Sequence, residues 1–175
     1  SVVREEDRIY AGLDFTAAAA LSGSTETELF CRLVHENSGK IGVILMSMAQ
    51  ADVDRVLCLP YVSLISDALY GGGGMPHPRL YGAFPKFLRE YAGEKSALSF
   101  AEAVRKMTGM PARRLGLRDR GTLEPGNYAD LLVFDPAKFT DRATWQNPRQ
   151  EAEGLEYVLV NGKPPQERGG KIVKK

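Results

Sequence analysis

Cysteine is scarce in this sequence: Cys31 and Cys58 are the only two in 175 residues. A disulfide framework uses more cysteines in a shorter chain. Neither sits in a cluster of histidines and cysteines, which disfavours ligation. Both fall in helical patterns and read as reduced core thiols of a cytoplasmic protein. An excess of either charge is also lacking. Lys+Arg number 23 and Asp+Glu 22, a formal net charge of +1. No overall field then selects nucleic acid or an anionic membrane as partner. The basic end, Lys171 to Lys175, reads as a solvated tail. No apolar run approaches the ~20 residues of a membrane helix. Ser1 to Asp7 shows no signal-peptide pattern. The first residue is not Met, so the N-terminus is expected to have been processed, trimmed or lost. There are no internal repeats. What remains is 43% hydrophobic and 26% charged, the make-up of a soluble globular protein of one ordinary domain, with or without a small appendage.

The chemistry concentrates in one stretch. Tyr61-Val62-Ser63-Leu64-Ile65-Ser66 reads as a buried strand, and Asp67 sits at its C-terminal end. The exit of a parallel strand is where α/β barrels place catalytic groups. Ala68-Leu69-Tyr70, four glycines (Gly71 to Gly74), Met75 and Pro76-His77-Pro78-Arg79 follow. This glycine run is no phosphate loop, which needs a Gly-Lys-Ser/Thr ending that opens a helix. It reads as a mobile lid over a substrate. Asp67 fits two roles: a carboxylate that moves a proton, or a helix cap or turn former. Arg79 offers a planar fork for a carboxylate, or is a surface arginine beside an acid. His77 lies between prolines, which pin its backbone, and reads as shaping the loop rather than as a ligand. Tyr70 and Tyr81 fit pocket lining and core packing equally.

Around this stretch the pattern alternates. Arg8-Ile9-Tyr10 reads as the end of a strand, and Ala17 to Ser24 as loop. Thr25 and Glu28 form a capping box ahead of a helix with Leu29, Phe30, Leu33 and Val34 on its apolar face, ended by Gly39. Ile41 to Met46 reads as a buried strand. Asp52 to Cys58 reads as a helix with Val53, Val56 and Leu57 inward, stopped by Pro60. Phe84, Phe87, Leu88 and Tyr91 mark another helix. Ser99 and Glu102 cap the next, and Gly109 is its C-terminal glycine. Pro111 opens a short helix ending at Leu115-Gly116. From about residue 122 the chain reads as a small β region. It has strands at 129–134 and 156–160, an irregular stretch between them, and the hairpin signal Asn161-Gly162. Pro164-Pro165 prevents a regular return strand.

Continuous apolar strands alternating with helices imply a parallel α/β sheet buried on both faces. Two or three such strands cannot close a barrel, which needs eight. Left open, they expose apolar edges. The remaining strands are therefore expected on the rest of the same gene product or on another chain.

Several segments also carry a family resemblance. They are Ser66-Asp67, the glycine loop, His77-Pro78-Arg79-Leu80-Tyr81-Gly82-Ala83-Phe84-Pro85, Ala103 to Gly109, and Gly126 to Asp135. Asp141-Arg142-Ala143-Thr144 and Tyr157 to Gly162 extend the series. In this order, over about residues 40–163, they resemble the C-terminal part of the N-acyl-D-amino-acid deacylases (D-aminoacylases) of the amidohydrolase superfamily. The resemblance implies the C-terminal portion of a metal-dependent (β/α)8 barrel over 1–121. It implies part of a small composite β domain over 122–175. It also implies hydrolysis of the amide of an N-acylated D-amino acid by a zinc enzyme. Asp67 matches the family's strand-eight aspartate, which shuttles a proton. Arg79 matches an arginine that grips the substrate carboxylate.

Three departures stand beside this. The family's metal cluster uses paired early histidines, a cysteine and two later histidines, whereas this chain has only His35 and His77, at neither position. No metal ligand is therefore assigned here, and the zinc is expected in the full-length enzyme alone. Ala68 stands where many members have glycine. Pro164-Pro165 replaces a valine-rich return strand. The alternatives are a non-catalytic remnant that pairs with a partner, or another amidohydrolase such as a cyclic-amide hydrolase. Arg79 argues against the latter, since a cyclic amide need not offer a free carboxylate.

Overall fold

The structure, a computed structural model, describes residues 2, 4–69, 75–167 and 170. The glycine run Gly71 to Gly74 expected to form a lid, Tyr70, and the end Lys171 to Lys175 expected to form a tail lie outside the described residues. Near the start, Glu6–Tyr10 forms a 3-10 helix, so the strand end expected at Arg8-Ile9-Tyr10 is not there. Helix α1 spans Phe15–Ser22, where a loop is expected from the small residues. Alanine is the strongest helix former, and Ala17 to Ala20 sit between two good signals. The Asp14 side chain accepts from the Ala17 amide at 2.8 Å, and Gly23 closes the helix at φ 68°.

Helix α2 spans Glu26–Glu36 and begins with the expected box. The Thr25 hydroxyl accepts from the Glu28 amide while the Glu28 carboxylate accepts from the Thr25 amide. Thr25→Ala removes half of this exchange. It should cost about 1 kcal/mol of stability, read as a lower urea midpoint with unchanged slope; an unchanged midpoint contradicts the cap. Leu29 and Leu33 pack against Ala18 and Ala19 in a first core, with Tyr10, Phe15 and Ile41 beside them. Cys31 is exposed on this helix, not a core thiol, while Cys58 is half-buried.

A second core joins the rest. Helix α3 spans Gln50–Cys58, and α4 spans Arg79–Phe87 before continuing as a π-helix over Leu88–Glu94. Helix α5 spans Phe100–Met107. Its cap Ser99 accepts from the Glu102 amide, but the Glu102 carboxylate binds Arg105 and does not complete a box. Gly109 opens α6, Gly109–Arg114, rather than closing α5. Phe87, Leu88, Tyr91 and Ala103 are buried together, with Leu57, Leu64, Met107, Phe134 and Phe139 against them. The last two come from the β region. There β1 (Leu131–Phe134) pairs antiparallel with β2 (Leu155–Leu159). Asn161 and Gly162 take φ of 51° and 76°, the left-handed pair of a tight hairpin turn. Pro165–Glu167 then turns into a 3-10 helix.

The parallel strands expected at 41–46 and 61–66 do not form. Residues 41–47 and 62–69 belong to no helix or strand, and β1 and β2 make the only sheet among the described residues. A strand needs a neighbour to take its amides and carbonyls. Among the described residues, 41–47 take part in no β-bridge, and Val43, Leu45 and Met46 are left 54%, 79% and 76% exposed.

One polar clamp ties α3 to the π-helix. Asp54 accepts from the Tyr91 hydroxyl, from Gln50 and from Lys95. The Tyr91 bond first, then the Lys95 bond, holds the Asp54 carboxyl down from 3.8 to about 2. A depressed carboxylate adds stability above its unfolded value and loses it as pH falls through the folded one. The urea-midpoint gap between the parent chain and Asp54→Asn should therefore be steady above pH 3.8 and close as pH falls toward about 2. A gap that widens on acidification contradicts this.

Candidate active site

Asp67 lies in a stretch whose exposure alternates from Leu64 onward. Val62, Ser63, Leu64 and Ser66 are half-buried, whereas Tyr61, Ile65, Asp67 and Leu69 are exposed. Asp67 itself takes φ 47°, a left-handed conformation that aspartate tolerates better than most residues. This kink turns the carboxylate toward the first turn of α4. There Arg79 Nη2 stands 3.2 Å from Asp67 Oδ2. The two residues singled out from the sequence are thus brought together. Both side chains remain wet, at 76% exposed for Asp67 and 43% for Arg79. An exposed pair of this kind contributes roughly 0–1 kcal/mol, so another anion can take the place of Asp67 on Arg79 at small cost.

Arg79 stands where a helix least favours a cation, at the positive N-terminal end of α4. His77 fixes this corner. Its Nδ1 accepts from the Arg79 backbone amide at 3.0 Å, and its ring meets Trp145 edge-on at 4.8 Å between centroids. His77 therefore shapes the loop, with Nδ1 unprotonated. Burial first, then the charges of Arg79 and Lys86, push its pKa below the usual 6.5.

Below this corner a cavity of about 430 Å3 opens between α3 and α4. Leu57, Leu64, Phe87, His77, Arg79 and Trp145 are among its walls. Helix α4 comes close to the 141–143 segment because Gly82 lacks a side chain: a Cβ there would lie 3.4 Å from Ala143 Cβ. Asp141 accepts from Arg89 at 2.9 Å and is held in place by it. Trp145 is the residue that sequence reasoning missed; its only signal is that it is the sole tryptophan, just after Asp141-Arg142-Ala143-Thr144. Among the described residues, no group of three or more His, Cys, Asp or Glu side chains could hold a metal ion.

Comparison with known proteins places this corner in a lineage. Residues 61–165 match the amidohydrolase family. This chain belongs to the amidohydrolase family. The matched span of this amidohydrolase chain contains Asp67, Arg79 and the Trp145 wall. It is 39% identical to a D-aminoacylase of Alcaligenes xylosoxydans xylosoxydans over 154 residues, 88% of this chain and 31% of that protein. An N-acyl-D-glutamate deacylase of the same organism is 41% identical over 140 residues, 77% of this chain and 28% of that one. Among solved structures, an N-acyl-D-glutamate deacylase of Bordetella bronchiseptica, complexed with zinc and a phosphonate inhibitor, superposes with a TM-score of 0.79. The match is 37% identical and covers 86% of this chain and 30% of that one. The chain thus spans about three tenths of the length of the curated relatives it matches.

Proposed function

We propose that this amidohydrolase chain is the portion of an N-acyl-D-amino-acid deacylase that carries its proton-transfer acid and its carboxylate grip. In that reading, residues 1–121 are the last part of a (β/α)8 barrel and 122–175 belong to its β domain. The remaining strands cover the exposed face of residues 43–48. The observation that carries the reading is the 3.2 Å approach of Asp67 to Arg79. In an N-acyl amino acid one carbon bears both the scissile amide nitrogen and the free carboxylate. The group that protonates the nitrogen and the fork that holds the carboxylate must therefore stand a few ångströms apart, as these two do.

The chemistry assigned to this chain is a proton relay. Asp67 takes a proton from the attacking water as its oxygen bonds to the acyl carbon. It then returns the proton to the amide nitrogen as the C–N bond breaks, releasing a carboxylic acid and the D-amino acid. Arg79 holds the α-carboxylate in two hydrogen bonds, leaving Asp67 for the reaction. Zinc is proposed as the metal of the full-length enzyme, since the Bordetella bronchiseptica relative is described with zinc. Among the described residues no group of three or more His, Cys, Asp or Glu side chains could hold it, and on this reading its ligands come from the rest of the enzyme.

The test is an assay of amino-acid release by the zinc-loaded full-length protein. It should release the amino acid from an N-acyl-D-amino acid and not from the L-enantiomer. The 175-residue chain alone should show no zinc-dependent release, because a catalytic zinc needs about three protein ligands. Full-length protein that is folded and zinc-loaded but inactive on both enantiomers contradicts the proposal, as does turnover by the isolated chain.

A further inference from the structure

Four successive carbonyls, those of Leu59, Pro60, Tyr61 and Val62, are each held by a cationic side chain from α5 or α6. Lys106 Nζ donates to Leu59 O and, at 2.9 Å, to Val62 O. Arg105 Nη2 donates to Pro60 O at 3.0 Å, and Arg114 Nη2 to Tyr61 O at 3.0 Å. The α5 backbone adds a fifth tie, because the Leu64 amide donates to Lys106 O at 3.2 Å. Lys106 is the centre of this grip and is 1% exposed. Burying an ammonium ion is costly unless its protons find acceptors. Its bonds go to two carbonyls of the segment it holds, and no carboxylate is among its hydrogen-bond partners.

A methionine would fill the same space without that cost, so packing alone does not account for a lysine here. Register does. Between Leu64 and Leu69, even-numbered positions face inward and odd-numbered ones outward, and Asp67 is odd. A slip of one residue turns every side chain of an extended segment to its other face. In this segment the slip would carry Asp67 away from Arg79. Residues 62–69 have no strand neighbour among the described residues to set their register. The cations at 59–62 and the amide tie at Leu64 set it instead.

We propose that Lys106, with Arg105 and Arg114 in support, is a positioning residue for the deacylation: it fixes the register of residues 59–66 and so presents the Asp67 carboxylate at the reacting amide. This rests on the role proposed above for Asp67, and the experiment separates the two. The full-length zinc enzyme is made as Lys106→Met, Asp67→Asn and the double variant, and kcat and KM for an N-acyl-D-amino acid are measured well below each melting temperature. Lys106→Met should lower kcat about 10- to 100-fold, the usual loss for a small misplacement, with KM little changed. In the Asp67→Asn background the same change should cost almost nothing, because the carboxylate it positions is gone. Lys106→Arg, which restores a cationic donor, should recover part of kcat.

An unchanged kcat in folded Lys106→Met overturns the inference. So does a loss that persists in full on top of Asp67→Asn, which would mark Lys106 as merely structural. A normal kcat in Asp67→Asn alone would instead overturn the reading of Asp67. Should Lys106→Met not fold, Arg114→Gln removes the exposed donor to Tyr61 O. It is read by the same cycle, with a smaller kcat loss that again vanishes beside Asp67→Asn; an unchanged kcat, or a loss that persists there, overturns the inference.

Discussion

Asp67→Asn in the full-length enzyme should keep its fold and lose turnover by roughly 10²–10⁴-fold, the range that a general acid–base group supplies. The structure says why the fold should survive. The residue sits at φ 47°, a left-handed conformation that asparagine adopts as readily as aspartate. Its side chain is 76% exposed, so the amide enters no apolar pocket. The one ion pair lost, to Arg79, is a surface pair that contributes roughly 0–1 kcal/mol. Chemistry is then the only large change: the amide matches the shape of the carboxylate and cannot carry the proton. The check is kcat alongside the melting temperature. A fall in kcat with a near-constant melting temperature agrees with the assignment. A near-normal kcat would show Asp67 to be a turn former.

Arg79 should fail differently. Arg79→Met should raise KM and lower kcat/KM by roughly 10- to 100-fold, since hydrogen bonds to charged groups contribute ~1.5–3 kcal/mol. Arg79→Lys keeps the charge and loses the two-pronged geometry, so its loss should be smaller, and again mainly in KM. Neither change should melt α4. Methionine and lysine are good helix formers, and methionine also removes a cation from the helix's positive end. Steady-state kinetics on one N-acyl-D-amino acid decides it. Loss confined to kcat, with KM unmoved, would contradict a binding role.

Local chemistry was legible in the sequence and long-range pairing was not. The Thr25–Glu28 box, the helix before Pro60 and the Asn161-Gly162 turn follow from a few adjacent residues, and they stand where expected. Helix α1 escaped because four alanines carry no apolar stripe, although Asp14 and Gly23 marked its ends. The apolar run 61–66 was visible, but a strand is a relation between two segments, and residues 62–66 pair with no second strand among the described residues: the Leu64 amide donates to a helix carbonyl, that of Lys106. Asp67 and Arg79 could each be nominated from chemistry and resemblance. Their 3.2 Å contact depends on the kink at Asp67 and the corner held by His77, and neither leaves a sequence pattern. Lys106 and Trp145 were hidden for a related reason. A lysine in a helical stripe reads as solvated, and Trp145 lies far along the chain from the loop it touches.

The most direct check pairs the arginine with the group it is said to hold. Parent enzyme and Arg79→Met are assayed on an N-acyl-D-amino acid and on the same compound with its α-carboxylate converted to a carboxamide. If Arg79 grips that carboxylate beside Asp67, the amidated compound is a poor substrate for the parent and hardly worse for the variant, because the contact is already gone. Equal losses on both compounds would mean that Arg79 shapes the loop and never meets the substrate. The deacylase site built on its pairing with Asp67 would then be wrong.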